Sequence, residues 1–209
     1  MQPKQLSEAS LLRRVWRFVW HDDSFESWLV NLALAVLIVK FIVYPLLGLI
    51  LGTQYPVVAV VSGSMEHQGS FEQWWSTQQC PTMFGATSQS TWYTTRNVSE
   101  EQFKQFPFTN GFDKGDVMVL QSATNVKLGD ILVFEAPGYN YPIIHRVVAT
   151  DDKLFKTKGD FNCGQHDFEQ QGVGKEKLLG KGLFRIPLLG WIKVWFVQLL
   201  QYITSFVRG

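Results

Sequence analysis

The longest apolar run in the chain covers residues 28–52 and reads WLVNLALAVLIVKFIVYPLLGLILG. As an α-helix it would extend roughly 37 Å at ~1.5 Å per residue, which exceeds the hydrocarbon core of a bilayer, about 30 Å. Asn31 and Lys40 are its strongly polar residues, and Pro45 is the position expected to kink it. Because the run is too long and starts too deep in the chain for a cleaved signal peptide, we predict a transmembrane helix.

Residues 1–27, which precede this run, combine basic and aromatic side chains. An excess of lysine and arginine marks the cytoplasmic side of a span, so the N-terminus is expected to face the cytoplasm. Arginine mixed with tryptophan and phenylalanine also favours a short helix that lies on the membrane surface. We predict a cytoplasmic or interfacial segment, whose basic residues are Lys4, Arg13, Arg14 and Arg17.

A second apolar run, at residues 186–207, is also long enough to cross a bilayer. Lys193, Gln198 and Gln201 would be costly in lipid, which favours an interfacial helix as the alternative. We predict a C-terminal helix over 183–209 that crosses the membrane or lies at its surface, with crossing preferred. Two spans would place residues 53–182 outside the cytoplasm.

Residues 53–182 show short runs of valine, isoleucine and phenylalanine, separated by Gly-Asp and Pro-Gly turn signals. This spacing predicts a small antiparallel sheet or barrel-like domain. Residues 67–112 interrupt it with a segment rich in Gln, Ser, Thr, Trp and Phe, which we interpret as an insertion of helices and loops. Its role is open between a partner surface, a lid and a membrane-facing pad, with a buried aromatic cluster preferred. The tryptophans concerned are Trp74, Trp75 and Trp92.

Charge and cysteine content narrow the classes of function. The chain has 19 Lys and Arg against 18 Asp and Glu, a formal charge of +1, which argues against a nucleic-acid-binding protein. Aromatic residues make up 14% of the chain and include eight tryptophans, as suits a protein that meets a membrane. Cys80 and Cys163 match no zinc-ligand spacing; a disulfide and two free thiols both stay open.

Candidate chemistry begins where an apolar strand ends in Ser62-Gly-Ser64. A serine needs a base to become a nucleophile, and His145 lies in a strand-like apolar run, where burial requires a polar partner. Taken singly, the serines would form a turn and the histidine would be structural, whereas the combination indicates a catalytic triad. The loop that follows His145 offers three acids, Asp160, Asp167 and Glu169.

Five segments resemble, in order, the conserved boxes of type I signal peptidases: SGSME, KGDVMVL, GDILVFEA, IIHRVV and KTKGDFN. They are similar to the archaeal and endoplasmic-reticulum branch, where histidine stands in place of the bacterial lysine. The resemblance covers roughly residues 55–64 and 113–170. It implies a signal-peptidase-like β catalytic domain, so that the fold is expected to be mainly β, with the inserted segment, between two membrane helices.

The resemblance also implies roles for individual residues. Ser64 would be the nucleophile and His145 the general base, while the hydroxyl of Ser62 and the backbone N–H of Ser64 would form the oxyanion hole. Asp160 matches the first aspartate of the family's acidic box. The second is usually about five or six residues later, but Asp167 follows by seven. We expect Asp167 to orient His145, with Asp160 as a structural or electrostatic aid.

The sequence therefore predicts a signal peptidase I, a membrane-anchored serine endopeptidase that cleaves N-terminal signal peptides from exported preproteins. No metal or organic cofactor is expected. The expected partners are preproteins and the lipid bilayer, with the protein-export machinery as a candidate and no nucleic acid. The expected location is the cell membrane, with the endoplasmic reticulum membrane as the alternative. An inactive, membrane-anchored module that binds extended segments is the competing hypothesis, favoured by the insertion and by the displaced Asp167.

Overall fold

The computed structural model describes residues 8–83, 85–151, 153–191 and 195. The chain divides into two compact units, residues 1–50 and residues 51–209. The first unit is helical and the second contains the sheet.

Helices α1 (Glu8–His21) and α2 (Phe25–Ile38) open the first unit. Ser24 caps α2, because its hydroxyl accepts a hydrogen bond from the N–H of Ser27 at 3.3 Å. The Asn31 amide then donates to the carbonyl of Val19 in α1 at 2.8 Å. A polar residue within the apolar run is thus explained by a contact between two helices.

A π-helical segment (Val39–Val43) and helix α3 (Tyr44–Leu51) continue α2 without interruption. Proline has no N–H to donate, and the widened turn ends at Val43, two residues before Pro45. The continuous helix Phe25–Leu51 has 27 residues and is long and apolar enough to cross a membrane. The apolar helix expected over 28–52 is therefore present.

The second unit contains all strands of the described residues. In chain order they are β1 (Val57–Ala59), β2 (Gln78–Thr82), β3 (Gly85–Ser88), β4 (Val117–Gln121), β5 (Ile131–Phe134), β6 (Ile143–Thr150), β7 (Leu154–Lys158), β8 (Val173–Gly174) and β9 (Leu178–Ile186). Within the described residues, seven of them form one antiparallel sheet in the order β1-β4-β9-β5-β6-β7-β8. The prediction of a mainly antiparallel β domain is confirmed.

Continuous burial explains why the central strands read as unbroken apolar runs rather than alternating ones. All four residues of β5 and the first six of β6 are buried, as expected of strands covered on both faces. Leu132 of β5 lies directly opposite His145 of β6 in the ladder. This register sets a polar side chain inside an otherwise apolar part of the sheet.

The segment 67–112 folds onto the sheet as a subdomain with its own aromatic core. It comprises the hairpin β2–β3 and three short helices, α4 (Phe71–Ser76), α5 (Gln89–Thr94) and α6 (Glu100–Phe103). The three-residue spacing of Ser99 and Gln102 predicts a helix cap, and the cap is present, because the Ser99 hydroxyl accepts from the N–H of Gln102 at 3.2 Å. The aromatic core of the subdomain consists of buried residues, together with Val148 of β6. They are Phe71, Trp74, Trp75, Tyr93, Val98 and Phe103. Of the interpretations given for this segment, the structure shows the buried aromatic cluster.

The end of the chain departs from the boundary expected at residue 183. Residues 183–186 belong to β9, and a turn at 187–190 follows. Trp191 and Trp195 have helical backbone. The remainder of the predicted C-terminal membrane helix lies outside the described residues.

Replacing Leu132 by alanine should lower the free energy of unfolding by about 2–5 kcal/mol, because Leu132 is fully buried and the change leaves a cavity. Denaturant titration of the purified chain in detergent measures this. The matched control is Met83→Ala, at a side chain 92% exposed, where a change within about 0.5 kcal/mol is expected. Equal losses for both variants would contradict the assigned core.

Candidate active site

Ser64 lies in the turn that follows β1, and backbone bonds hold both sides of that turn. The N–H of Val60 donates to the carbonyl of Asp116 at 2.9 Å, and the carbonyl of Ser64 accepts from the N–H of Phe161 at 2.9 Å. The next residue, Met65, is fully buried in the main core. The buried methionine anchors the turn while the half-buried Ser64 stays within reach of other groups.

His145 sits on β6 with two polar partners, although it is only 3% exposed. Its Nε2 lies 3.0 Å from Ser64 Oγ. Its Nδ1 lies 2.6 Å from Oε1 of Glu169. A hydroxyl, an imidazole and a carboxylate in this order form the arrangement in which a histidine can take a proton from serine while the acid fixes its tautomer.

Glu169 is presented by α7 (Asp167–Gln171), whose first turn folds it inward. Its Oε2 accepts from the backbone N–H of His166 at 2.9 Å, which is the return contact of a capping box. Its Oε1 also accepts from the hydroxyl of Thr157 at 2.9 Å. Burial raises the pKa of Glu169, but its bonds to His145, His166 and Thr157 and the charge of His145 outweigh this, so the pKa lies below its ordinary 4.5.

Asp167, the acid expected to orient His145, is exposed in the first turn of α7. The structure places Glu169 there instead, so this expectation is corrected. The reason is local: the helix begins at Asp167, and the capping box turns the third residue of the helix, Glu169, back towards its N-terminus. The sequence signature of a capping box has Ser or Thr at its first position, whereas His166 stands there in this chain, so the local sequence did not single out Glu169.

Asp160 is fully buried, and its carboxylate bonds Arg146 rather than His145. Arg146 donates from Nη2 to Asp160 Oδ2 at 2.7 Å and from Nε to Oδ1 at 2.9 Å. Burial raises the pKa of Asp160, but Arg146 and then His67 outweigh it and hold the pKa far below its ordinary value. These contacts agree with the expected role of Asp160 as a structural or electrostatic aid, and not with the role of the acid that orients His145.

Ser62 and Gly159 both lie close to Ser64. The Ser62 hydroxyl is exposed, with its Oγ 3.3 Å from Ser64 Oγ. A side chain at Gly159 would put its Cβ 2.8 Å from His145 Nε2 and 2.8 Å from the carbonyl of Ser64. Glycine is therefore required at this place, which the sequence analysis did not identify. Within the described residues, no group of three or more His, Cys, Asp or Glu side chains is arranged to hold a metal ion.

Lys158, directly before Gly159, is a fully buried cation. Its Nζ donates to Gln89 Oε1 at 2.8 Å and to the carbonyl of Gly159 at 3.0 Å. Burial lowers its pKa from 10.5 to about 7, although Asp160 and Glu169 oppose the shift. Lys158 thus loses its proton in the folded chain at a pH where it keeps it in the unfolded chain.

The free energy of unfolding should therefore rise with pH between about 7 and 10 relative to that of the Lys158→Met variant. In this range the unfolded chain binds one proton that the folded chain has released, so the slope is roughly 1 kcal/mol per pH unit. Denaturant titrations across this range measure the difference. Lys153→Met, at an exposed lysine, should keep the wild-type slope, and parallel curves for wild type and Lys158→Met would contradict the prediction.

Sequence comparisons find relatives that are named signal peptidase complex catalytic subunit SEC11, whereas no family model matches the chain. A signal peptidase complex catalytic subunit SEC11 of Scheffersomyces stipitis is 27% identical over 74% of this chain and 73% of its own length. SEC11 of Debaryomyces hansenii is 26% identical over 83% of this chain and 84% of its own length. SEC11 of Candida tropicalis is 33% identical over 40% of this chain and 56% of its own length.

These relatives bear on two predictions. They are catalytic subunits by name, so the prediction of a signal peptidase I, a serine endopeptidase, is confirmed. The family suspected from the five sequence boxes is confirmed as well. The chain is homologous to proteins named signal peptidase complex catalytic subunit SEC11.

Proposed function

We propose that the chain is a membrane-anchored enzyme that cleaves N-terminal signal peptides from exported preproteins, with Ser64, His145 and Glu169 as its triad. The observation that carries this proposal is the hydrogen-bonded series from Ser64 Oγ to His145 Nε2, 3.0 Å, and from His145 Nδ1 to Glu169, 2.6 Å. The names of the relatives support signal peptides as the substrate class.

The proposed reaction uses His145 as base and then as acid. His145 Nε2 takes the proton of Ser64 while Ser64 Oγ attacks the peptide carbonyl carbon. The backbone N–H of Ser64 and the hydroxyl of Ser62 donate to the negative oxygen that forms. His145 then protonates the leaving amine, and a water molecule, activated in the same way, releases the acyl group from Ser64.

Membrane anchoring by the apolar helix Phe25–Leu51 forms the second part of the proposal. The basic residues before the helix support a cytoplasmic N-terminus and an extracytoplasmic catalytic domain. The disulfide between Cys80 and Cys163 supports the same side, because such bonds persist in oxidising compartments. We keep the cell membrane as the proposed location, the endoplasmic reticulum membrane as its alternative, and the export machinery as a candidate partner.

The competing hypothesis, an inactive module that binds extended segments, drew on the displacement of Asp167. Glu169 occupies the place beside His145 that Asp167 was expected to fill. That argument for an inactive site is therefore removed. Cleavage of a preprotein by the purified chain separates the two hypotheses directly.

Replacing Ser64 by alanine should reduce preprotein cleavage by roughly five to six orders of magnitude, because the nucleophile is lost. The measurement is product formation by the full chain in vesicles or detergent. Ser76→Ala, at an exposed serine of α4, should cleave like the wild type. Retained cleavage by Ser64→Ala would rule out Ser64 as the nucleophile.

Replacing Glu169 by glutamine should lower kcat by about three to four orders of magnitude, because the amide no longer holds the tautomer or stabilises the imidazolium. The matched substitution Asp167→Asn, two residues earlier, should change kcat by less than about twofold. Steady-state kinetics on one preprotein compare both variants. The reverse pattern would return the role to Asp167 and refute the proposed triad.

A further inference from the structure

The inserted subdomain, residues 67–112, lies against the loop that carries Glu169. We call residues 159–169 the acid loop. We propose that the inserted subdomain is a positioning element for the acid loop, with Gln89 and Cys80 as its positioning residues. This inference rests on the proposed function and extends it to a part of the chain for which the family resemblance supplies no role.

The acid loop contacts both partners of His145. Glu169, at its end, bonds His145 Nδ1 at 2.6 Å. The N–H of Phe161 donates to the carbonyl of Ser64 at 2.9 Å. The sheet holds the chain up to Lys158 and again from Val173. A shift of the intervening loop would therefore move the acid and the nucleophile relative to the imidazole.

Three side chains of the subdomain converge on Asp160 in the acid loop. His67 Nε2 lies 3.0 Å from Asp160 Oδ2, and the His67 ring stacks on Trp74 at 3.6 Å between centroids. The indole N–H of Trp74 donates to the Asp160 carbonyl at 3.3 Å. The hydroxyl of Tyr93 donates to Asp160 Oδ1 at 3.4 Å. The aromatic core of the subdomain is thus joined to the loop backbone as well as to its carboxylate.

Gln89 joins the subdomain to the end of β7 and to the acid loop. It is 1% exposed, and both ends of its amide are used. Its Oε1 accepts from Lys158 Nζ at 2.8 Å, and its Nε2 donates to the carbonyl of Asn162 at 3.2 Å. A buried amide that spans a buried cation and a loop carbonyl fixes the relative position of the two.

The disulfide Cys80–Cys163 adds a covalent connection, from strand β2 to the middle of the acid loop. Cys163 lies between Asn162, which Gln89 holds, and Glu169, which holds His145. The buried aromatic core of the subdomain contains neither of the two cysteines. Opening the bond therefore removes no side chain from that core, and a displacement of about 1 Å in a catalytic group is enough to cost roughly 10²-fold in rate.

The first experiment compares Gln89→Leu with Gln105→Leu, the same substitution at an exposed glutamine of the subdomain. Gln89→Leu should lower kcat for preprotein cleavage at least tenfold with KM within twofold, because alignment is lost and substrate contacts are kept. Gln89→Glu, which still accepts from Lys158, should recover part of the loss. Gln105→Leu should match the wild type. Thermal melting in detergent establishes that each variant is folded at the assay temperature.

The second experiment leaves the sequence unchanged and reduces the disulfide of the wild-type chain with dithiothreitol. The kcat should fall at least tenfold, return on reoxidation, and leave KM within twofold. The double variant Cys80→Ala, Cys163→Ala should have the lowered kcat already and should not respond to the reductant.

The outcomes separate this inference from the proposed function. Wild-type kcat in folded Gln89→Leu and in the reduced chain, or a change in KM alone, would overturn the positioning role while leaving the triad in place. Should Gln89→Leu fail to fold, the reduced wild-type chain decides alone. No cleavage by the oxidised wild-type chain would refute the proposed function, and the inference with it.

Discussion

The arrangement of the candidate active site depends on the two hydrogen bonds of one buried histidine. His145 stands in a strand whose neighbours are buried and apolar, where an unpartnered imidazole would be costly. Ser64 approaches one ring nitrogen and Glu169 the other. The turn after β1 and the capping box of α7 each deliver one of these partners, and Gly159 leaves the space in which they meet.

A second buried polar network includes residues 158 and 160, on either side of Gly159, and the inserted subdomain completes it. Asp160, Arg146 and Lys158 are all fully buried, and buried charges are tolerated when each has partners. Arg146 comes from the sheet, whereas His67, Tyr93 and Gln89 come from the subdomain. The inserted subdomain, residues 67–112, is thus in direct contact with the acidic box next to the active site.

Much of the fold could be predicted from local sequence patterns, because such patterns depend only on residues that are close together in the chain. The apolar helix followed from the length of one run, and the β domain from short valine- and isoleucine-rich runs between turns. The pairing of Ser64 with His145 followed from the family boxes and agrees with their 3.0 Å contact. The cap at Ser99 needed no more than three residues of spacing.

Contacts between distant segments could not be obtained in this way. Asp167 and Glu169 are two residues apart in the chain, and the direction in which α7 begins selects the one that faces His145. The pairing of Cys80 with Cys163 joins residues 83 positions apart, and Gln89 meets Lys158 only because the subdomain folds back onto the acid loop. Composition and periodicity record what each segment prefers, whereas the packing of one segment on another decides which side chains meet.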